Sequence, residues 1–156
     1  MEKTYSTQQL EELAGKIAQK LKPNDVLALY GELGSGKTTF TRFLVKALGF
    51  DTRVQSPTFI LVRNYTKSEG SIKKIFHIDL YRLKSVNEVL EIGINEMIDE
   101  DKSVTVIEWP EIYEQMLPEK TIRMYFEYAD KDTRKVTSEH IDGGKTGLQT
   151  GELHLR

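Results

Sequence analysis

The sequence contains no cysteine. This absence excludes disulfide bonds, a thiolate nucleophile and zinc sites built on cysteine. The chain also lacks an apolar run of the ~18 residues that a membrane-spanning helix needs, and its first residues do not follow the basic and then apolar pattern of a secretion signal. Together these absences predict a cytoplasmic protein with no membrane contact.

Basic residues are not in excess either. There are 22 Lys and Arg against 24 Asp and Glu, and the pI is close to 6.0. A domain that holds nucleic acid through a standing basic field usually has a pI above about 9, so we expect any role near RNA to be indirect. The three histidines, His77, His140 and His154, do not form a metal set, and His77 is predicted to be a hydrogen-bonded residue within a strand.

The length of 156 residues suits one domain with a substantial core. We expect that domain to span residues 1–141. Residues 142–156 are rich in Gly and Thr and offer little to bury, which predicts a flexible C-terminal tail.

The most informative motif is G-E-L-G-S-G-K-T at residues 31–38, directly after the apolar run Val26–Tyr30. The pattern G-x-x-x-x-G-K-[ST] between a strand and a helix is that of a P-loop, whose backbone N–H groups and helix N-terminus bind phosphate. Apolar residues at helical spacing follow the motif. Lys37 is then expected to reach the β- and γ-phosphates, and the Thr38 hydroxyl to bind Mg²⁺. A glycine-rich turn with an incidental lysine is the alternative.

Two further apolar runs each end in a carboxylate, Asp79 and Glu108. In P-loop enzymes a carboxylate at the end of a neighbouring strand holds Mg²⁺, and a second one can orient the attacking water. Asp79 and Glu108 are therefore candidates for these two roles. Acidic residues at strand ends are also common in polar loops without any such role.

The polar segment Ser56-Pro57-Thr58 lies in the connection after the P-loop helix, before a predicted strand at residues 59–65. Many P-loop proteins place a switch that senses the γ-phosphate in this connection. Ser56 and Thr58 are candidates to supply a hydroxyl to Mg²⁺ or phosphate. The alternative is a simple turn into the strand.

Two capping boxes predict helices, one at Ser6 with Gln9 and one at Ser85 with Glu88. The second helix is expected to break near Gly93. Further strands are predicted at residues 72–79, 121–128 and 134–141, the first of them antiparallel to residues 59–65.

Several classes of P-loop protein are disfavoured by motifs that the chain does not contain. No N-K-x-D element follows a later strand, which argues against a GTPase, and L-S-G-G-Q of transporter ATPases is missing. The chain is also short for a helicase. A small-molecule kinase stays open, although no arginine-rich lid follows Glu108, and so does a nucleotide sensor that does not hydrolyse its ligand.

Four motifs in order resemble the TsaE family over roughly residues 5–130. They are G-E-L-G-S-G-K-T-T-F at 31–40, S-P-T-F at 56–59, H-I-D-L-Y-R-L at 77–83 and V-I-E-W-P-E at 106–111. Members of the TsaE family are small bacterial ATPases of tRNA threonylcarbamoyladenosine (t6A) biosynthesis. The resemblance implies an α/β P-loop NTPase fold with central parallel strands, antiparallel additions and helices on both faces.

The resemblance also implies ligands, partners and residue roles. ATP and Mg²⁺ are the expected ligands, and hydrolysis is expected to be slow without the partner proteins TsaB and TsaD, which modify adenosine 37 of tRNA. Contact with tRNA would then be indirect. The implied catalytic residues are Lys37 and Glu108, and the implied metal ligands are Thr38, Asp79 and Glu108. The implied nucleotide-binding residues are Gly31, Leu33, Gly34, Ser35, Gly36, Lys37, Thr38, Thr39 and Trp109, with Ser56 and Thr58 as the switch-like pair.

Two points stay open in this comparison. Trp109 is expected near the nucleotide or at the partner surface, or else in the core beside Pro110. The sequence does not identify an arginine finger, for which Arg42, Arg53 and Arg82 are candidates, and a partner protein is another possible source.

Overall fold

A mixed β-sheet forms the centre of the protein in the computed structural model, which describes residues 4–139. Its strands are β1 Thr4–Ser6, β2 Val26–Tyr30, β3 Val62–Thr66, β4 Lys74–Asp79, β5 Ser103–Glu108, β6 Ile122–Tyr128 and β7 Thr133–Glu139. Their order across the sheet is β1-β7-β6-β2-β5-β4-β3.

The four central strands, β6, β2, β5 and β4, run parallel to one another, and the outer strands pair antiparallel at both edges. The predicted mixed sheet with parallel centre and antiparallel additions is thereby confirmed. Parallel strands end at the same edge of a sheet, which is where ligands bind in open α/β folds. The segment after β2, the end of β4 at Asp79 and the end of β5 at Glu108 therefore lie side by side, and Asp79 and Glu108 are register partners.

Helices cover both faces, as expected. They are α1 Thr7–Lys20, α2 Lys37–Ala47, α3 Val86–Glu91, α4 Ile94–Asp99 and a 3-10 helix at Pro110–Met116. The capping box at the start of α1 is confirmed, since the Ser6 hydroxyl accepts from the Gln9 N–H at 3.3 Å and the Gln9 side chain accepts from the Ser6 N–H at 2.9 Å. The predicted break is also confirmed, because Gly93 with φ 82° separates α3 from α4.

Side chains alternate along each strand between two apolar layers. In β2, Leu27 and Leu29 pack with α1 and α2, whereas Val26 and Ala28 pack with α3 and α4. Ile75 of β4 belongs to the α1/α2 layer. Side chains two residues apart share a face of a strand. The side chains of Asp79, which ends β4, and of Glu108, which ends β5, therefore both point toward the N-terminus of α2.

The strand predicted at residues 59–65 begins only at Val62, so that part of the prediction is wrong. The Pro57 carbonyl accepts from the N–H groups of both Ile60 and Leu61, at 3.1 and 2.7 Å, and closes a turn that holds Leu61 at φ 69°. Phe59 is consequently 81% exposed at the tip of this turn instead of lying in the sheet.

Two other boundaries shift, and the predicted tail falls outside the description. The strand predicted at 72–79 starts at Lys74, and the last strand is described up to Glu139. The tail from Asp142 onward lies outside the described residues. Within residues 4–139, no helix combines the length and apolar character needed to cross a membrane.

Candidate nucleotide-binding site

The loop between β2 and α2 depends on glycine at three positions. Gly31, Gly34 and Gly36 have φ angles of 146°, 77° and 109°, values that other residues rarely adopt. A Cβ at Gly31 would also lie 2.4 Å from the Phe126 carbonyl oxygen and 2.6 Å from the Ser35 hydroxyl. The loop therefore takes a shape in which its backbone approaches neighbouring groups more closely than a side chain would permit.

The first turn of α2 faces the same site. Gly36 is its N-cap, and within the described chain no side chain caps this end of the helix. The first N–H groups of a helix have no intrahelical partner, and they carry the positive end of its dipole. This arrangement is suited to a phosphate group.

Ser35 provides a second feature that suits an anion-binding loop. Its side chain is 1% exposed, and its hydroxyl has no hydrogen-bond partner among residues 4–139. A buried polar atom without a partner is rare in folded proteins and calls for an explanation such as an absent ion or water. An anion seated in the loop would supply that partner.

Lys37 is folded back over the loop from which α2 starts. Its ammonium group donates to the carbonyl oxygen of Gly31 and, at 3.4 Å, to that of Glu32, and it lies 4.0 Å from the centre of the Trp109 ring. Burial lowers the pKa of Lys37 below its ordinary value, and the charges of Glu108 and Asp79 act in the opposite direction. The amine is thus held in a desolvated position beside two carboxylates.

The carboxylate of Glu108 is held at both oxygens. The Thr38 hydroxyl donates to Oε1 at 3.0 Å, and the His77 ring nitrogen Nε2 lies 2.6 Å from Oε2. Glu108 is 2% exposed and His77 is fully buried. The acidic group predicted at the end of β5 is therefore fixed directly beside the P-loop threonine.

The carboxylate of Asp79 binds the predicted switch-like segment. The Thr58 hydroxyl donates to Oδ2 at 2.7 Å, and the hydroxyl groups of Ser56 and Thr58 lie 2.8 Å apart. The backbone N–H of Tyr81 donates to Oδ1 at 2.8 Å. Asp79 thus joins the connection after α2 to the edge of the sheet.

An open cavity of about 200 Å³ collects most of the residues singled out from the sequence. Those that line it are Leu33, Gly34, Ser35, Gly36, Lys37, Thr38, Thr39, Ser56, Thr58, Asp79, Glu108 and Trp109. Gly31 does not line the cavity, but its carbonyl oxygen accepts from Lys37, which does.

Sequence reasoning missed the part of the cavity formed by β1, the start of α1 and the hairpin of β6 and β7. The residues concerned are Tyr5, Ser6, Thr7, Leu10, Lys131, Asp132 and Arg134. Arg134 donates through Nε to the Gly34 carbonyl at 3.2 Å, and its Cγ would lie 3.3 Å from a Cβ at Gly36. Only the strand order, with β6 beside β2 and β1 beside β7, brings these residues to the P-loop.

None of the three arginines considered from the sequence lines this cavity. Arg42 and Arg53 line a separate hollow that also contains Ser56, and Arg82 lies 4.4 Å from the centre of the exposed Phe59 ring. Within the described chain, Arg134 is the arginine that lines the cavity.

Trp109 lies at the cavity wall and is half-buried. It adopts φ 55°, and its ring is 4.8 Å from that of Tyr81. Its indole therefore contacts both Lys37 and a surface tyrosine. A position in the core beside Pro110, the alternative left open by the sequence, does not describe this arrangement.

Oxygen ligands predominate among the groups available to a metal. In the described part of the chain, no three or more His, Cys, Asp or Glu side chains are grouped to hold an ion. The site offers instead the Thr38 hydroxyl with the carboxylates of Asp79 and Glu108. Mg²⁺ is commonly bound by one or two carboxylates together with substrate phosphates and water, so these donors fit Mg²⁺ delivered with a nucleotide.

Comparisons with known proteins agree on one family. Residues 4–136 match the family model described as threonylcarbamoyl adenosine biosynthesis protein TsaE. The tRNA threonylcarbamoyladenosine biosynthesis protein TsaE of Rickettsia felis is 40% identical over 128 residues, which cover 81% of this chain and 72% of that protein. The protein of the same name from Bacillus subtilis is 32% identical over 135 residues, covering 86% and 82%.

A solved structure is similar as well. The crystal structure of YdiB from Bacillus subtilis matches with a TM-score of 0.67 and 29% sequence identity. The match covers 88% of this chain and 86% of that one.

Proposed function

Because this chain belongs to the TsaE family, which takes part in tRNA threonylcarbamoyladenosine biosynthesis, we propose that it is a Mg²⁺-dependent ATPase supporting that modification. The observation that carries the proposal is the meeting of the P-loop residues Lys37 and Thr38 with the carboxylates of Asp79 and Glu108 in one cavity. This set contains the parts that phosphoryl transfer from a nucleotide requires.

The phosphates of ATP would bind to the backbone N–H groups of the loop and of the first turn of α2. Lys37 would neutralise charge on the β- and γ-phosphates, which is why a buried cation is kept at this position. Thr38 and Asp79 would hold Mg²⁺, which supplies further neutralisation of the phosphate oxygens when bound. Glu108 would orient the attacking water from its position beside Thr38, and its proximity to Thr38 also makes it a candidate metal ligand.

Ser56 and Thr58 would form a switch in this ATPase. Their hydroxyls are engaged with each other and with Asp79. When ATP and Mg²⁺ bind, the γ-phosphate or the metal would compete for the same hydroxyls, and the segment around Pro57 would move with them. The exposed Phe59 follows Thr58 directly, so this movement would also shift the Phe59 side chain at the surface.

We further propose that TsaB and TsaD are the partners that stimulate hydrolysis, that tRNA is contacted through the complex, and that the protein acts in the cytoplasm. Two exposed apolar side chains support a partner contact: Leu33, which lines the cavity and is 70% exposed, and Phe59, which follows Thr58 and is 81% exposed. An arginine finger contributes roughly 10³–10⁵ in rate. Arg134 is engaged by backbone carbonyl oxygens, so hydrolysis by the chain alone is expected to be slow.

The experiment that tests this function is ATP hydrolysis by the purified chain with and without TsaB, TsaD and tRNA. We expect the partners to raise turnover, and Lys37→Ala and Glu108→Ala to abolish the increase. Equal turnover with and without partners would refute their part in the proposal. ATP binding without turnover under any condition would instead indicate a nucleotide sensor, and ADP release that needs an added metabolite and yields no inorganic phosphate would indicate a kinase.

A further inference from the structure

His77 is a fully buried imidazole within β4, between β5 and the edge strand β3, and it does not line the nucleotide cavity. A ligand in that cavity would therefore not touch it. Burying a polar ring costs free energy unless its nitrogens are hydrogen-bonded. The hydrogen-bond partner of its Nε2 therefore indicates what the buried ring does, and that partner is Glu108.

The contact between the two residues is short and enclosed. Nε2 of His77 lies 2.6 Å from Oε2 of Glu108, and their side chains are 0% and 3% exposed. A carboxylate oxygen only accepts, so the ring nitrogen donates. A hydrogen bond shielded from water in this way restricts the torsions of the carboxylate more than an exposed one does.

Strand register explains why His77 reaches this particular oxygen. His77 of β4 pairs with Val106 of β5, and Glu108 follows Val106 by two residues. Side chains two residues apart lie on the same face of a strand, and diagonal neighbours on adjacent strands remain within reach of long or aromatic side chains. The imidazole is thus a diagonal neighbour of Glu108 on the same face of the sheet, two residues before the strand ends.

Each carboxylate oxygen of Glu108 accepts a hydrogen bond from a different residue. Oε2 accepts from His77, while Oε1 accepts from Thr38 of the P-loop. A glutamate side chain has three torsions, and because both oxygens belong to one planar group, a hydrogen bond to one of them also limits rotation of the other. With Oε2 fixed, Oε1 stays directed at the residue that is expected to hold the metal.

We propose that His77 is a positioning residue for ATP hydrolysis, which holds Glu108 by Oε2 so that Oε1 remains directed at Thr38. The proposal rests on the ATPase function proposed above. His77 acts only through Glu108, so it should affect the rate of the chemical step and leave the affinity for ATP unchanged.

Tyr65 makes a second, weaker contact with His77. Its hydroxyl lies 3.4 Å from Nδ1 of His77 and 3.4 Å from the carbonyl oxygen of Gln55, the residue before the switch-like pair. Both distances are long for hydrogen bonds of a hydroxyl. Tyr65 therefore constrains the ring less than Glu108 does, and its removal should have a smaller effect on the rate.

The test compares three replacements of His77 in the full chain with its partners present. Glutamine places an amide donor where Nε2 lies, asparagine is too short to do so, and leucine has no donor. We expect His77→Leu and His77→Asn to lower kcat roughly 10- to 100-fold, the range found for groups that orient a functional ligand from outside the site. His77→Gln should recover most of the loss, and Tyr65→Phe should lower kcat less than His77→Leu.

Binding and folding are measured on the same variants. The single tryptophan provides a fluorescence signal for the Kd of ATP, which should stay unchanged in all of them. Ile75→Val is the matched control, because Ile75 lies on the same face of β4 and pairs with Val104, four residues before Glu108. It should keep its kcat even if its Tm falls.

Three results would overturn the proposal. These are an unchanged kcat in folded His77→Leu, a His77→Gln variant as slow as His77→Leu, and a loss confined to the Kd of ATP. A failure of the underlying function is distinguishable, since the unaltered protein would then show no partner-stimulated hydrolysis, and the role assigned to His77 would fall with it.

Discussion

The ammonium group of Lys37 lies 4.0 Å from the centre of the Trp109 ring, on the wall of the nucleotide cavity. A cation at this distance from an aromatic face is attracted by the ring electrons. Phosphate oxygens would compete with the ring and with the loop carbonyls for the same amine. Trp109 is thereby placed to register whether Lys37 is engaged by a ligand.

The first prediction uses this contact. ATP binding is expected to change the fluorescence of Trp109, because Lys37 leaves the ring for the phosphates. A titration of the unaltered protein and of Lys37→Ala measures the effect, and Lys46→Ala, at an exposed position on the same helix, serves as the control. A full fluorescence change in Lys37→Ala would show that the ring does not sense the lysine.

The second prediction concerns the backbone at Gly31. Gly31→Ala should destabilise the fold by about 1–3 kcal/mol from the unfavourable φ alone, with a further cost from the contact of 2.4 Å to the Phe126 carbonyl. Gly15→Ala is a matched control in the middle of α1, where nothing lies within 4 Å, and it should add roughly 0.5–1 kcal/mol of helix stability. Urea denaturation measures both. Equal stability of the two variants would contradict the role of the close approach.

The third prediction concerns the buried charge of Lys37. Burial lowers the pKa of its amine from the ordinary value of 10.5, so between the lowered pKa and 10.5 the unfolded chain binds more protons than the folded one. Stability of the ligand-free protein should therefore rise with pH across that interval, and Lys37→Met should remove this contribution.

The same variant separates stability from function. At neutral pH, Lys37→Met is expected to have a higher Tm than the unaltered protein without nucleotide, yet to lose the stabilisation that ATP gives. Thermal unfolding with and without ATP over a pH series gives both quantities. A lower Tm without nucleotide would mean that the contacts of Lys37 with Gly31, Glu32 and Trp109 outweigh the cost of its burial.

The fourth prediction addresses the arginine that the motifs did not reveal. Arg134→Ala removes the donor to the Gly34 carbonyl and the packing beside Gly36. One hydrogen bond contributes about 0.5–1.5 kcal/mol, so we expect ATP to bind roughly 2- to 10-fold more weakly. Calorimetry with Arg53→Ala as control checks this, because Arg53 is exposed and lies outside the main cavity. Equal affinities for the two variants would exclude Arg134 as a support of the loop.

What the sequence predicted correctly is local in origin. The capping box at Ser6 and the break at Gly93 depend on residues within a few positions of each other, and the strand followed by G-x-x-x-x-G-K-T is a continuous segment. The turn at residues 57–61 was missed because β-branched and aromatic residues favour a strand there, whereas the Pro57 carbonyl closes a turn instead.

The remaining parts of the site depend on contacts distant in sequence. The approach of His77 to Glu108 requires the register between β4 and β5, and the approach of Arg134 to Gly34 requires β6 to pair with β2. The periodicity of a single strand predicts neither its register with a neighbour nor its place in the order of the sheet. The motifs identified which residues have the chemistry for nucleotide and metal binding. The pairing of the strands determines which of them lie close together.

The position of β6 has a practical consequence for dissecting the protein. The last motif ends at Glu111, and a fragment stopping near residue 120 would contain each residue that the motifs assign to nucleotide binding. It would lack Phe126, whose carbonyl oxygen lies against Gly31, and Arg134, which binds the loop from outside. The shortest piece that retains the phosphate cradle therefore extends through the hairpin of β6 and β7, well beyond its recognisable signatures.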